Sequence, residues 1–362
     1  MAKFFEVFGE RASTVQVKDK LESAICPMSG GQCDGGGNRH QTKLSKSELE
    51  ELVGAAKCIK GTIPAICSIN YEKSNEAWIV CPRRLFAFPK TQDKKVNTSP
   101  KLRGHERSLI NSIGFESGSL VGVYPEVYLK YSDEDSEINY HFDYVICELL
   151  ESEMSLSELW SKMGITESKE KNKYKKHLRD NGLIGSRAKD TDKILFYPNL
   201  DKMAVIEVMT ASTSGSNKEK GTDIKSAYIK FSEGLPYECP GINKRQVWGR
   251  MATQLFSKTA LSQSWGAATY WVVQDKLLDN ICKTTKLELR KAEMSENTVN
   301  FVSYAYEADG VLGEPNILSL DAGVSFSGTG TAVDILLAKT NPSLSVLLSS
   351  IVRTQLACVI RV

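Results

Sequence analysis

Two acids set inside apolar, strand-like runs constrain this chain more than any other feature. Asp143 lies in Asn139-Tyr140-His141-Phe142-Asp143-Tyr144, and Glu207 lies in Met203-Ala204-Val205-Ile206-Glu207-Val208-Met209. Runs rich in β-branched and aromatic residues read as strands of a partly buried sheet. On neighbouring strands the two carboxylates can share one ion. Mg²⁺ suits them, because it takes oxygen ligands, commonly one or two carboxylates completed by water and phosphate oxygens. Phosphodiester hydrolysis uses such an ion to activate water and to stabilise the leaving group. The plain alternative is a pair of strand-end carboxylates at the surface. His141 is two residues from Asp143, so strand alternation puts both on one face.

Around these two runs the chain reads as strand, loop and helix in alternation. A helix is predicted over Glu106 to Ile113, then strands at Leu120 to Tyr124, Glu126 to Tyr131 and Tyr140 to Leu149. After Glu207 come a Ser/Gly-rich loop, helices around Asn243 to Leu261, and strands at Ala267 to Val273 and Val299 to Tyr306. There are no internal repeats, and no low-complexity segment long enough to stay unfolded.

The first 90 residues hold five of the nine cysteines. Cys26 and Cys33 have six residues between them, with Gly30-Gly31 allowing a sharp turn. Cys67 and Cys81 sit at matching ends of a predicted hairpin, whose strands are Ile66 to Ile69 and Trp78 to Cys81. Four thiolates can hold a tetrahedral structural Zn or Fe ion; the alternative is four buried thiols that only pack. Cys58 falls at the end of a predicted helix, Ser47 to Lys57, and reads as packing, like the scattered Cys147, Cys239, Cys282 and Cys358.

Between the two acids, residues 151–201 form an insertion of different character. Leu156, Leu159, Trp160 and Met163 are spaced as on a helix, Gly164-Ile165-Thr166 makes a turn, and Glu167 to Asn181 is a strongly basic helix. Leu183-Ile184-Gly185 and Ile194 to Tyr197 are predicted to pair as a small β-wing. This order is that of a winged helix-turn-helix, in which the second helix enters the major groove of DNA. Lys173, Lys175, Lys176 and Arg179 are its candidate DNA contacts, and a solvated helical cap over the sheet is the competing reading.

The motifs in order resemble those of type II restriction endonucleases of the NotI and EagI kind. The similarity rests on Cys26-Pro27 through Cys33, Cys67-Ser68-Ile69-Asn70, Cys81-Pro82-Arg83-Arg84, Phe142-Asp143-Tyr144, Val205 to Thr210, Gly215 to Ile224, and the helix from Asn243 to Lys258. It does not extend over Glu151 to Asp201 or the C-terminal tail. The resemblance implies an α/β fold: a PD-(D/E)XK nuclease core (a mixed sheet flanked by helices) over 91–150 and 202–362, a four-cysteine metal module over 1–90, and the winged-helix-like insertion over 151–201. It implies Mg²⁺ on Asp143 and Glu207, structural Fe or Zn on Cys26, Cys33, Cys67 and Cys81, and cleavage of a specific double-stranded DNA sequence to leave 5′-phosphate ends. Lys244 and Arg245 are further implied DNA contacts, and a homodimer matches a palindromic site. One departure stands out: where the family carries Glu-x-Gln and the wider superfamily Glu-x-Lys, this chain has Glu207-Val208-Met209. A thioether cannot orient water as an amine does. Lys218 or Lys220, just after the strand, is predicted to fold back into the site, with Lys218 favoured as the catalytic residue beside the water. The alternative function is a sequence-specific DNA-binding protein with weak or lost nuclease activity.

Net charge is only +2, so nucleic-acid binding must rest on local clusters, which occur at Lys90–Arg107, Lys162–Lys193 and Lys244–Lys258. No long apolar span or export signal is visible, and the cysteine number is odd, so a cytoplasmic protein with free thiols is expected. No Ser-His-Asp order, Walker loop or dinucleotide fingerprint points to another chemistry.

Overall fold

The computed structural model describes residues 2–33, 35, 44–53, 65–71, 76–89, 96–132, 137–151, 154–213, 223–291, 299–307, 310–320 and 341–362, without the side chains of Lys18, Glu22, Val53, Tyr71, Arg245, Gln246 and Leu320. Its elements are β1 (Ala2–Val7), β2 (Glu10–Arg11), α1 (Val17–Ser23), α2 (Lys46–Val53), β3 (Ile66–Tyr71), β4 (Glu76–Ile79), α3 (Pro82–Leu85) and α4 (Gly104–Ser112). Then follow β5 (Leu120–Ser132), β6 (Glu137–Glu151), α5 (Leu156–Met163), α6 (Ser168–Asp180), β7 (Phe196–Met209), β8 (Ser212–Thr213), α7 (Ile224–Ser232) and β9 (Ile242–Asn243). The chain continues with α8 (Lys244–Ser264), β10 (Ala268–Gln274), α9 (Asp275–Thr285), β11 (Arg290–Lys291), β12 (Val299–Tyr304), β13 (Asn316–Leu320), α10 (Leu344–Arg353) and β14 (Cys358–Arg361).

An eight-stranded mixed sheet in the order β11-β13-β12-β10-β7-β6-β5-β14 carries the fold. Strands β5, β6 and β7 form an antiparallel meander, while β10 runs parallel to both β7 and β12. Parallel neighbours need a long crossover, and α8 and α9 lie in those two connections. One face of the sheet is covered by α5, α6, the end of α8 and α10, through Leu159, Trp160, Tyr174, Leu261 and Ile351. The other face packs Leu109 and Ile110 of α4 against Val121, Val123, Ile146, Ile206 and Val272. The α/β architecture, a large mixed sheet flanked by helices, is thereby established.

A second sheet, β2-β1-β3-β4, occupies the N-terminal region. Its core is not confined to residues 1–90: Ile224, Ala227 and Tyr228 of α7, with Cys239, pack into it, and Cys239 bridges Ala2. It is tied to the large sheet by a buried ion pair. Arg84 donates two hydrogen bonds to Glu6, each 2.9 Å, and one to the Gly310 carbonyl, while the Tyr306 hydroxyl donates to Glu6 at 2.7 Å. An ion pair this buried is tolerated because its oxygens and N–H groups find further partners.

The expected boundaries change in three places. The two short strands at 120–131 are one strand, bent at Glu126, whose φ is +55°. Tyr124 faces the α5–α10 side, yet so do Val127 and Leu129, so the left-handed residue reverses the side-chain alternation. The strands around the insertion also run further than expected, with Glu151 of β6 paired to Phe196 of β7. The insertion therefore covers 152–195 rather than 151–201, and Phe196 and Tyr197 belong to the sheet rather than to a wing. The cause is length: a strand pair continues while both chains still offer apolar side chains to the helices, as Leu149 and Leu200 do.

Candidate active site

The β6–β7 register pairs Tyr144 with Ile206, Val145 with Val205 and Ile146 with Ala204. Continued by one residue, it sets Asp143 directly across from Glu207, on the same face. Strand β10 flanks β7 on the other side, with Trp271 opposite Glu207. Glu207 is 2% exposed, and its Oε1 has no hydrogen-bond partner among the described residues. Asp143 accepts a hydrogen bond on Oδ2 from the Val208 N–H at 2.8 Å, which keeps Oδ1 for another partner.

The third member is Lys258. It projects from α8, is 7% exposed, and donates from Nζ to Glu207 Oε2 at 2.5 Å. Its place follows from how α8 packs: Val247, Met251, Leu255, Lys258, Thr259 and Ser262 are its buried stripe, at helical spacing. Thr259 accepts from the Trp271 indole at 3.2 Å, fixing the helix on β10, and within the helix the Ser262 hydroxyl donates back to the Lys258 carbonyl at 2.9 Å. The ammonium also lies 5.8 Å from the centre of the Phe142 ring.

Burial, then the charge of Asp143, pushes the Glu207 carboxyl up to about 8, with Lys258 working against them. Burial raises Asp143 as well, opposed by the Val208 N–H and Lys258. Two adjacent carboxylates and one ammonium make a site with room for more positive charge. A divalent ion fits here on chemistry: Glu207 Oε1 and Asp143 Oδ1 are hard oxygen donors, and added positive charge would offset the burial that works against ionisation of both carboxyls.

The site opens into a cleft of about 810 Å³. Its walls include Arg83, Glu126, His141, Met209, Arg250 and Gln254. His141 pairs with Glu126 at 3.0 Å, and that hydrogen bond raises its pKa. Thus His141 lines the same cleft as Asp143 but is engaged with Glu126. Met209, two residues beyond Glu207, also stands on the wall.

Other expected site residues fall differently. Lys218, Lys220 and Cys58 lie outside the described residues. Lys244 stacks over the Trp78 ring at 4.3 Å, and the Arg245 side chain is likewise outside them. Lys175 pairs with Asp190 at 2.7 Å, and Arg179 donates to the Ser186 carbonyl at 3.2 Å. Those two are engaged inside the insertion, whereas Lys173 and Lys176 face solvent.

Cys26, Cys33, Cys67 and Cys81 are all buried free thiols. The Gly30 turn folds as expected, with φ +68°, and closes the loop by Cys26 N–H to Gly31 O at 2.8 Å and Cys33 N–H to Ala24 O at 2.7 Å. Cys81 N–H donates to Cys67 O at 3.2 Å. Burial holds Cys67 high and pushes Cys81 up to about 11, with Cys26 adding to both. The donor set suits a soft ion, but among the described residues no three His, Cys, Asp or Glu side chains are arranged as ligands. The four sulfurs would have to draw together and lose their protons to hold one.

Among the described residues no helix is long and apolar enough to cross a membrane. No protein-family model matches the chain, and no curated protein sequence matches it.

Lys258 escapes a reading of the sequence because it is 51 positions from Glu207 and shares its helix with three other basic residues, Lys244, Arg245 and Arg250. The available signal is its position in line with Val247, Met251 and Leu255 on the helix's apolar stripe.

Proposed function

We propose that the protein is a Mg²⁺-dependent site-specific deoxyribonuclease that hydrolyses both strands of DNA, in the manner of a type II restriction endonuclease. The observation that carries this reading is the buried Asp143–Glu207–Lys258 group at the floor of the cleft. Further support is the order helix, three antiparallel strands, helix, parallel strand, built by α4, β5, β6, β7, α8 and β10, which is compatible with a PD-(D/E)XK core.

In this reading Asp143 and Glu207 would hold the metal. With Mg²⁺ bound, the site gains a Lewis acid that acidifies water and offsets charge on the phosphate. Lys258 supplies what Met209 cannot. One of its three N–H donors is fixed on Glu207, and the other two are left for the attacking water and a phosphate oxygen. Val208 N–H fixes the Asp143 carboxyl through Oδ2. Arg83 and Arg250 on the walls supply positive charge for the DNA backbone. A homodimer matches a palindromic target.

The second reading, a DNA-binding protein that has lost cleavage, is motivated by Met209; a lysine already standing on Glu207 removes its main argument. Incubation of the purified protein with supercoiled plasmid and Mg²⁺ separates the two. Discrete fragments with 5′-phosphate ends support the nuclease, and intact plasmid under conditions where the protein binds DNA supports the other.

A further inference from the structure

The insertion carries more order than a cap over the sheet requires. Before α5, residues Met154 and Ser155 run beside Lys193 and Ile194: Ser155 bridges Lys193, and Ile194 N–H donates to Met154 O at 3.1 Å. On the other side, Leu195 N–H donates to Leu183 O at 2.9 Å. Three short extended pieces thus lie side by side, with 193–195 in the middle, 154–155 on one flank and 183 on the other. Along the chain, α5 and α6 separate 154–155 from 183, and residues 185–192 form the loop that leads from 183 to 193–195.

That is the connectivity of a winged helix-turn-helix whose first helix is missing. The place of that helix is taken from the far end of the chain. α10 packs against both α5 and α6, through Leu347, Leu348, Ile351 and Val352. Asn181, at the end of α6, locks it there: its Nδ2 donates to Thr354 O at 3.0 Å, and its Oδ1 accepts from Leu356 N–H at 2.9 Å.

Two sets stand out among the basic residues of α6. Lys175 and Arg179 hold the loop, through Asp190 and Ser186. Lys169, Asn172, Lys173 and Lys176 form an exposed stripe at intervals of three and four, the spacing of one helix face. The loop's acids are already engaged: Asp190 by Lys175 and the Trp160 indole, and Asp192 by the Lys189 N–H at 2.9 Å. The loop side chains Arg187 and Lys189 remain exposed.

We propose that 154–195 and α10 together form a composite winged helix that binds duplex DNA through Lys169, Asn172, Lys173 and Lys176, with Arg187 and Lys189 on an adjoining backbone. The outward face offers three lysines and an amide, complementary to phosphates and base edges. It rests on the nuclease reading only for the choice of DNA as ligand. The insertion leaves the sheet at the end of β6, roughly 26 Å along the strand from Asp143, so this surface is separate from the cleft.

The test uses the full-length protein, EDTA, a short mixed-sequence duplex and fluorescence anisotropy over a range of salt. Lys169→Ala/Lys173→Ala/Lys176→Ala should lower the slope of log affinity against log salt by roughly 2 to 3, at about 0.9 for each phosphate partner removed. Lys171→Met/Lys175→Met removes two charges from the flank of the same helix that faces Asp190, and should change the slope by less than about 1. Asn181→Ala should weaken binding several-fold with the slope retained. An unchanged slope in the triple variant, or equal falls in triple and double variants of unchanged melting temperature, overturns the proposal. Full affinity in Asn181→Ala removes α10 from the unit and overturns its composite form. Loss of slope in the triple variant, in a protein that never cuts plasmid with Mg²⁺, would uphold this inference while the nuclease reading failed. Cleavage that persists without any anisotropy change in EDTA would do the reverse.

Discussion

The cleft and the cysteine region both bury groups that metals favour, yet they bury them in opposite ways. Glu207 and Asp143 are placed side by side with an ammonium on Glu207 and one of its carboxylate oxygens left over. Cys26 and Cys33 lie among Leu21, Ile66, Ile69 and Val80, and burial keeps the protons on Cys67 and Cys81. A thiol is a small apolar side chain until it loses its proton, so its burial needs no further account. A carboxylate is costly to bury, and its surroundings must be built for it. The cleft therefore points to a function from its side chains alone, whereas the cysteines are compatible with packing and with an ion.

The largest expected effects fall on the cleft. Asp143→Ala and Glu207→Ala should each abolish plasmid cleavage while binding in EDTA is kept, because they remove metal ligands rather than DNA contacts. Lys258→Ala should lower the cleavage rate by roughly a hundred- to a thousandfold, the usual loss when a charge-stabilising donor is removed. Single-turnover rates check all three, and full activity in any of them would move the site elsewhere. The same treatment of Cys67 should leave the chemistry intact if the region is only structural.

The next effect is on stability. Lys258→Met leaves Glu207 buried without its cation. Above pH 8 this should cost about 3 kcal/mol by denaturant titration in EDTA, and less below, since Glu207 can then take up a proton. For Cys67→Ser the expectation depends on an ion. Purified protein should carry roughly one Fe or Zn per chain, and the variant should lose it together with much of the stability of the β1–β4 sheet. Elemental analysis decides: metal-free protein would make the cysteines a packing cluster and sharpen the contrast with the cleft.

A pH dependence follows from Glu207. Its carboxyl is raised to about 8, above that of an ordinary glutamate, so the folded state holds the proton more tightly than the unfolded chain. Its contribution to stability is therefore present at low pH and lost as pH rises from the ordinary glutamate range to about 8. In EDTA, melting temperature should fall over that window relative to Glu207→Gln, and Mg²⁺ should restore it at the alkaline end. Parallel melting curves for the two proteins would mean that Glu207 is not buried as a carboxyl.

The smallest effect concerns the bend in β5. A non-glycine residue at positive φ costs about 1 kcal/mol, so in Glu126→Gly the relief of strain should offset the missing ion pair with His141, and stability should change little. Glu126→Ala, which keeps the strain and removes the ion pair, should be the less stable of the two. Equal melting temperatures would show that the strand can straighten.

Much of this was legible in advance, for local reasons. Asp143 and Glu207 stood out because apolar, β-branched runs define strands and an acid within one is conspicuous. The Cys26–Cys33 turn was readable from Gly30, which adopts the positive φ its position suggested. The two helices of the insertion were marked by apolar spacing and by Gly164, which ends α5 in the left-handed conformation, while Ser155 and Glu158 cap its start. The bend at Glu126 was half visible, since Pro125 interrupts an otherwise continuous run. What local pattern could not supply was pairing across long separations. Lys258 meets Glu207 only because α8 returns over β7 and β10. α10 completes the insertion from more than 150 positions downstream.

The sequence by itself determined the strands that carry the two acids, the two helices between them, and the different character of that intervening segment. Periodicity and capping are properties of neighbouring residues, so they can be read from one chain without its fold. Only the tertiary structure decided that a lysine from a distant helix stands beside Glu207, and that Lys175 and Arg179 are tied to the loop at 185–192. It also decided that Cys26, Cys33, Cys67 and Cys81 are all buried. Those outcomes depend on which distant surfaces are removed from water together, and that is set by the packing of the whole sheet.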